Sequence, residues 1–137
     1  MTASSPRLEV DIWRPDDRAW GRITGILDTG SGLSVIRQDL AETYGYQLGP
    51  PRHFWQMIDP SNARDLVLTV RFRGREIAHE AVAVPIDARF LRRMTSDEEC
   101  TRPPVPHPLT DSIILGMSFF VRLDAATRKS ILEMERQ

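Results

Sequence analysis

The sequence predicts a mostly-β domain with one or two short helices, on three observations. Leu8, Val10 and Ile12 alternate with Glu9, Asp11 and Trp13, and Leu66, Leu68, Val70 and Phe72 repeat the pattern. That period of two belongs to strands with one buried face. Ile26-Leu27 runs directly into Asp28-Thr29-Gly30-Ser31-Gly32, an apolar strand end meeting a glycine-rich turn. Glycine and proline punctuate the chain at Gly49-Pro50-Pro51 and at Arg73-Gly74-Arg75, as short strands joined by turns require.

The elements follow in order. Leu8 to Trp13 reads as a first strand, Pro15-Asp16-Asp17-Arg18 as a turn, and Trp20 to Leu27 as a strand pairing back on the first. Leu33, Val35 and Ile36 continue the apolar run beyond the glycines. Asp39 to Gln47 is helical in pattern, with Leu40 and Tyr44 on one face and Gly45 and Gly49 at its end. A long hairpin follows over 53–70, its tip at Asp59-Pro60-Ser61-Asn62, and Ile77 to Ile86 forms the next strand. Pro103, Pro104, Pro106 and Pro108, with acidic Asp97 to Glu99, predict an irregular insertion over 87–110. Ser112 to Leu115 is apolar, Met117 to Leu123 suits a short helix, and Ser130 to Met134 is expected as a closing strand.

A chain of 137 residues is read as one domain spanning 1–137. Its 41% hydrophobic and 27% charged residues are ordinary for a globular protein, and a net charge of −1 gives no general attraction to nucleic acid or anionic membrane. Arg71, Arg73 and Arg75, and Arg92-Arg93, are basic clusters interrupted by acidic residues, which reads as solvated surface. The lone Cys100 excludes an intrachain disulfide and a cysteine-based zinc site, and its acidic neighbours disfavour a reactive thiolate. No signal-peptide pattern or membrane-length apolar run is found, so the expected location is cytoplasmic. His53, His79 and His107 are scattered without ligand spacing, so neither a metal, another cofactor nor a serine-based triad is expected.

Asp28 is the residue whose setting suggests chemistry. A carboxylate at the end of a buried strand, followed by a tight turn, is held rigidly and partly out of water. Asp and Gly are also common turn residues, so the four residues alone leave a structural turn open. A phosphate-binding loop is excluded because Leu33 occupies the place of the required lysine.

Asp28-Thr29-Gly30-Ser31, with Ile26-Leu27 before it, Leu33-Ser34-Val35-Ile36 after it, a hairpin around Met57 to Asn62 and the late block Ile113-Ile114-Leu115-Gly116, resembles the retropepsin-like aspartic proteases. The form resembled is the cellular or bacterial single-domain one, and order and spacing agree over residues 8–134. The resemblance implies a closed, barrel-like acid-protease fold and an aspartic endopeptidase. Such hydrolysis needs two carboxylates sharing one proton around a water. The chain holds one such motif, and Asp111 in Thr110-Asp111-Ser112 lacks the glycine turn, so the second carboxylate is expected from another copy of the chain.

By the same resemblance Asp28 is the catalytic carboxylate and Thr29 bonds across the dimer axis. Gly30 lets backbone approach substrate, and Ser31 bonds the outer carboxylate oxygen. Ile114, Leu115 and Gly116 form a platform beneath the loop. Trp55, Met57, Ile58 and Asp59 on the flap would contact an extended peptide or protein substrate. The expected partners are thus a second copy and a polypeptide, with no nucleic acid and no membrane. The chain departs from the family in its flap tip, which lacks glycine, and in Met117-Ser118 after Gly116, where an Arg-Asp, Arg-Asn or acidic residue is usual. These departures motivate two alternatives: a catalytically weak or inactive dimerisation or peptide-binding module, and a protease whose dimer is regulated.

Overall fold

The computed structural model describes residues 6–52, 63–85 and 112–135. The expected flap residues Trp55, Met57, Ile58 and Asp59 and the Pro-rich insertion at 87–110 lie outside the described residues. Seven strands are described: β1 (Arg7–Arg14), β2 (Ala19–Leu27), β3 (Ser34–Arg37), β4 (Pro51–Arg52), β5 (Ala63–Phe72), β6 (Arg75–Val84) and β7 (Ser112–Leu115). Three helical segments accompany them: α1 (Gln38–Tyr44), α2 (Met117–Phe120) and α3 (Ala125–Glu135).

The strands join in the order β1-β2-β7-β3-β6-β5-β4, and a further β1–β5 pairing turns six of them into a closed circuit. Closure removes free sheet edges. It is made at Asp11↔Arg71 and Ile12↔Val70, and the side chains repeat the pairing, Arg71 Nη2 donating to Asp11 Oδ2 at 3.1 Å. The mostly-β, closed-barrel expectation with few short helices is therefore what the structure shows.

Local chemistry sets the turns. Arg73 and Gly74 both have positive φ, 52° and 79°, between the paired residues Phe72 and Arg75. Two left-handed central residues match the right-handed twist of a hairpin, and glycine takes the second without strain. At the other hairpin Trp13 faces Trp20 across the strands, ring centroids 5.2 Å apart. Two-residue β4 pairs with the start of β5 through Pro51↔Arg64 and Arg52↔Ala63, so the chain departs at 52 and returns at 63 side by side.

The alternation on β1 and β5 buries Leu8, Val10, Ile12, Leu66, Leu68, Val70 and Phe72 in one main core. Towards its end β6 buries four consecutive residues, because it lies between β5 and parallel β3 with apolar groups on both faces. Ala81 and Ala83 enter the main core, while Val82 and Val84 join Val35 and Ala63 in a second cluster that Leu33 and Ile114 partly cover.

The closing strand expected over Ser130–Met134 is instead part of helix α3. Asp124 starts it: its Oδ1 accepts the Thr127 N–H at 2.7 Å and its carbonyl accepts the Arg128 N–H at 3.0 Å. The helix is rich in good helix formers and docks through Ile131, which is fully buried, while Leu132 and Met134 face outward. Leu132 and Met134 belong to an exposed helical surface. Among the described residues, no helix is long and apolar enough to cross a membrane.

Candidate active site

The site is built where parallel β2 and β7 end together. Leu27 lies in register with Leu115, and the next residue, Asp28, donates its N–H to Leu115 O at 2.9 Å. The chain then folds back on itself. Gly30 N–H reaches Asp28 Oδ1 at 3.0 Å, and Ser31 N–H reaches Asp28 O at 3.0 Å. The Asp28 carboxylate is thereby held by its own turn, half-buried, with Thr29, Gly30 and Gly32 exposed beside it. A Cβ on Gly30 would lie 3.2 Å from Asp28 Oδ1, so the close approach of that amide favours glycine.

Beneath the turn, β7 and α2 form a support. The first N–H groups of a helix lack intrahelical partners. Here Met117 N–H goes to Ser31 O at 2.8 Å and Ser118 N–H to Gly32 O at 3.0 Å, so helix start and loop satisfy each other. Ser118 Oγ accepts from Ser34 N–H at 3.3 Å and donates to Glu80 O at 2.6 Å, tying α2 to β3 and β6. Gly116 sits where a Cβ would stand 2.4 Å from Leu33 O and 2.7 Å from Ser31 O. Both are backbone atoms and cannot move aside. The loop rests on a surface that only glycine can provide.

Ile113-Ile114-Leu115 divides between the two cores. Ile113 and Leu115 enter the main one, and half-buried Ile114 joins the second cluster beside Leu33 and Ala63. Ser31 is buried and its hydroxyl donates to Leu33 O at 2.7 Å within this single chain. Thr29, at the tip, is exposed.

No motif or spacing joins His79 to this site, yet the fold does. His79 and Ser34 are 1% and 0% exposed, and His79 Nε2 stands 2.8 Å from Ser34 Oγ. His79 Nδ1 lies 3.3 Å from Ile77 O, which can only accept, so Nδ1 carries the proton and Nε2 receives that of Ser34. Ser34 Oγ in turn accepts the Gly116 N–H at 3.1 Å. Burial pushes the imidazole pKa down to about 4, which keeps the ring neutral at ordinary pH. The available sequence signal was phase: His79 occupies the buried face of β6 between Ile77 and Ala81, and a buried polar group needs a partner. Among the described residues, no group of three or more His, Cys, Asp or Glu could hold a metal ion.

No protein-family model matches the chain, and no curated protein matches it either. Among solved structures it is similar to the retroviral protease-like domain of Ddi1 from Leishmania major, at 12% identity and a TM-score of 0.48, over 87% of this chain and 77% of that one. It is also similar to a retropepsin-like aspartic protease from Rickettsia conorii, at 18% identity and a TM-score of 0.48, over 91% of this chain and 87% of that one.

Proposed function

We propose that the chain is an aspartic endopeptidase whose active site is completed by a second copy of itself. The observation that carries this reading is Asp28 itself. It is a half-buried carboxylate at a strand end, and its turn is pinned by hydrogen bonds to β7 and α2. A group fixed in this way needs little reorganisation when it exchanges a proton, which is the requirement for general acid–base work.

In this mechanism two Asp28 carboxylates face each other across a two-fold axis and share one proton. The ionised one takes a proton from the bound water as its oxygen attacks the scissile carbonyl carbon. The protonated one donates to the carbonyl oxygen, and a tetrahedral gem-diol forms. Collapse breaks the C–N bond as the now protonated Asp28 gives its proton to the amine nitrogen and the now ionised one takes a proton from a gem-diol hydroxyl. The acid and amine products leave, and the pair again holds one proton. Thr29 would bond across the axis, and Ser31 would turn its hydroxyl to the outer carboxylate oxygen when the second loop is present. The substrate would lie extended, adding a strand beneath flaps bearing Trp55, Met57, Ile58 and Asp59. Its apolar side chains would meet the Leu33 and Ile114 surface.

The experiment is digestion of a peptide library by wild-type protein and by Asp28→Ala across pH 3–7. Cleavage by the wild type alone supports the peptidase. Equal cleavage by both, or by neither, removes it, and peptide binding without cleavage would then favour a docking module on the same fold.

A further inference from the structure

We infer that His79 is a positioning residue for the Asp28 loop, acting through Ser34 and the peptide group that joins Leu115 to Gly116. The inference rests on the peptidase reading for its kinetic consequences, but its geometry is independent of that reading.

The peptide unit between Leu115 and Gly116 is held at both ends. Its carbonyl, Leu115 O, accepts the N–H of Asp28 at 2.9 Å. Its amide, Gly116 N–H, donates to Ser34 Oγ at 3.1 Å. A peptide group is planar, with N–H and C=O pointing opposite ways, so fixing one end fixes the direction of the other. Ser34 thus controls the orientation of the acceptor that anchors Asp28, and Gly116 has no side chain to hold that plane otherwise.

Ser34 is oriented by His79. A hydroxyl that accepts from Gly116 has one proton to place, and His79 Nε2 at 2.8 Å receives it. The imidazole is itself fixed by Nδ1–H to Ile77 O and by the edge-to-face ring of Phe119, 5.5 Å away between centroids. Four donations therefore run in one sense: Asp28 to Leu115, Gly116 to Ser34, Ser34 to His79, and His79 to Ile77. Bonds aligned head to tail polarise and stiffen one another, and a buried chain of this kind loses more than one bond's worth of order when a member is removed. Ser34 and His79 are too deeply buried to meet substrate. Their function is to hold the loop.

The test compares Ser34→Ala, Ser34→Thr and His79→Gln with wild type by peptide hydrolysis and by amide hydrogen exchange. Gln keeps an acceptor that can reach Ser34, and Thr keeps the hydroxyl. The expected result for Ser34→Ala is a fall in kcat of at least about tenfold with KM within about twofold, since a misplaced catalytic group costs rate more than binding. Ser34→Thr and His79→Gln are expected to recover most of it. Exchange at the Asp28 and Gly116 amides is expected to quicken at least about tenfold in Ser34→Ala, while Val10 and Ile23 in the first hairpin stay protected. Unchanged exchange at Asp28, or equal acceleration throughout the molecule, overturns the inference. If the wild type cleaves no peptide, the peptidase reading fails alone, and exchange in His79→Leu still decides for or against positioning by His79. Removing the acceptor of the Ser34 hydroxyl is expected to quicken exchange at the Asp28 and Gly116 amides at least about tenfold while Val10 and Ile23 stay protected, and unchanged exchange at Asp28 overturns the inference.

Discussion

Gly116 passes so closely beneath Leu33 that a Cβ built on it would stand 2.4 Å from Leu33 O and 2.5 Å from its carbonyl carbon. The backbone at Gly116 has φ −96°, open to any residue, so the demand for glycine is purely steric. Gly116→Ala must therefore lift the loop or push α2 away, and it is expected to destabilise the fold by about 3 kcal/mol. Gly32 is the control, because a Cβ there would meet nothing within 4 Å. Gly32→Ala is expected to stay within about 0.5 kcal/mol of wild type. Urea unfolding of both variants checks the pair, and equal losses would contradict the steric account.

The contrast shows which parts of the site were legible from sequence. The Asp28 turn was, because its bonds span two or three residues and need only Asp, Gly and a preceding apolar strand. The period-two face of β5 was legible for the same local reason. Ser34 and His79 are 45 residues apart and meet only because β3 runs parallel to β6, a pairing no short window of sequence encodes. The segment expected as a closing strand over Ser130–Met134 is helical because it docks through the single buried Ile131 and starts from the Asp124 cap six residues before the expected strand.

Burial of His79 carries a pH signature in stability. Its folded pKa is lowered from 6.5 to about 4, chiefly by desolvation, with the charge of Arg122 acting in the same direction. The other groups against the ring, the Ser34 hydroxyl, the Ile77 carbonyl and the Phe119 ring, are uncharged. Above pH 6.5 neither folded nor unfolded imidazole binds the extra proton, and stability is at its full value. Between 6.5 and about 4 the unfolded state is charged and the folded state is not, so stability falls as pH falls, by about 3 kcal/mol in all. Below about pH 4 both states hold the proton and this slope ends. Urea unfolding at pH 7, 5.5 and 4.5 is expected to show the loss in wild type, and His79→Gln is expected to lack this component. Parallel profiles for the two proteins would refute it.

Tyr46 makes the opposite prediction at alkaline pH. Its hydroxyl donates to Trp13 O at 2.5 Å and receives the Thr69 N–H at 3.5 Å, bridging β1 and β5 near the barrel seam. Tyr46→Phe leaves the Trp13 carbonyl without that donor and is expected to cost about 1–3 kcal/mol at pH 7. Burial pushes the phenol pKa from 10.0 to about 12. A raised pKa means that stability is intact below pH 10 and is lost as pH rises towards 12, because the unfolded phenol ionises first. Thermal unfolding between pH 8 and 11 is expected to show that added loss in wild type and not in Tyr46→Phe.

The proposed stoichiometry is open to a test that needs no knowledge of the natural substrate. If each active site takes one Asp28 from each of two chains, a chain carrying Asp28→Asn spoils every dimer it enters. Wild-type and variant chains mixed and allowed to reassort would leave active dimers in proportion to the square of the wild-type fraction. Equal amounts should retain about one quarter of the activity of an all-wild-type sample at the same total concentration. A site made by one chain would retain about one half. Before reassortment the two pure dimers coexist and the half value is expected, so activity should fall from a half to a quarter as subunits exchange. Cleavage of a fluorogenic peptide selected from the library, followed through that exchange, reads the change directly. A constant one half after exchange has been demonstrated by mass-labelled subunits would exclude a shared active site.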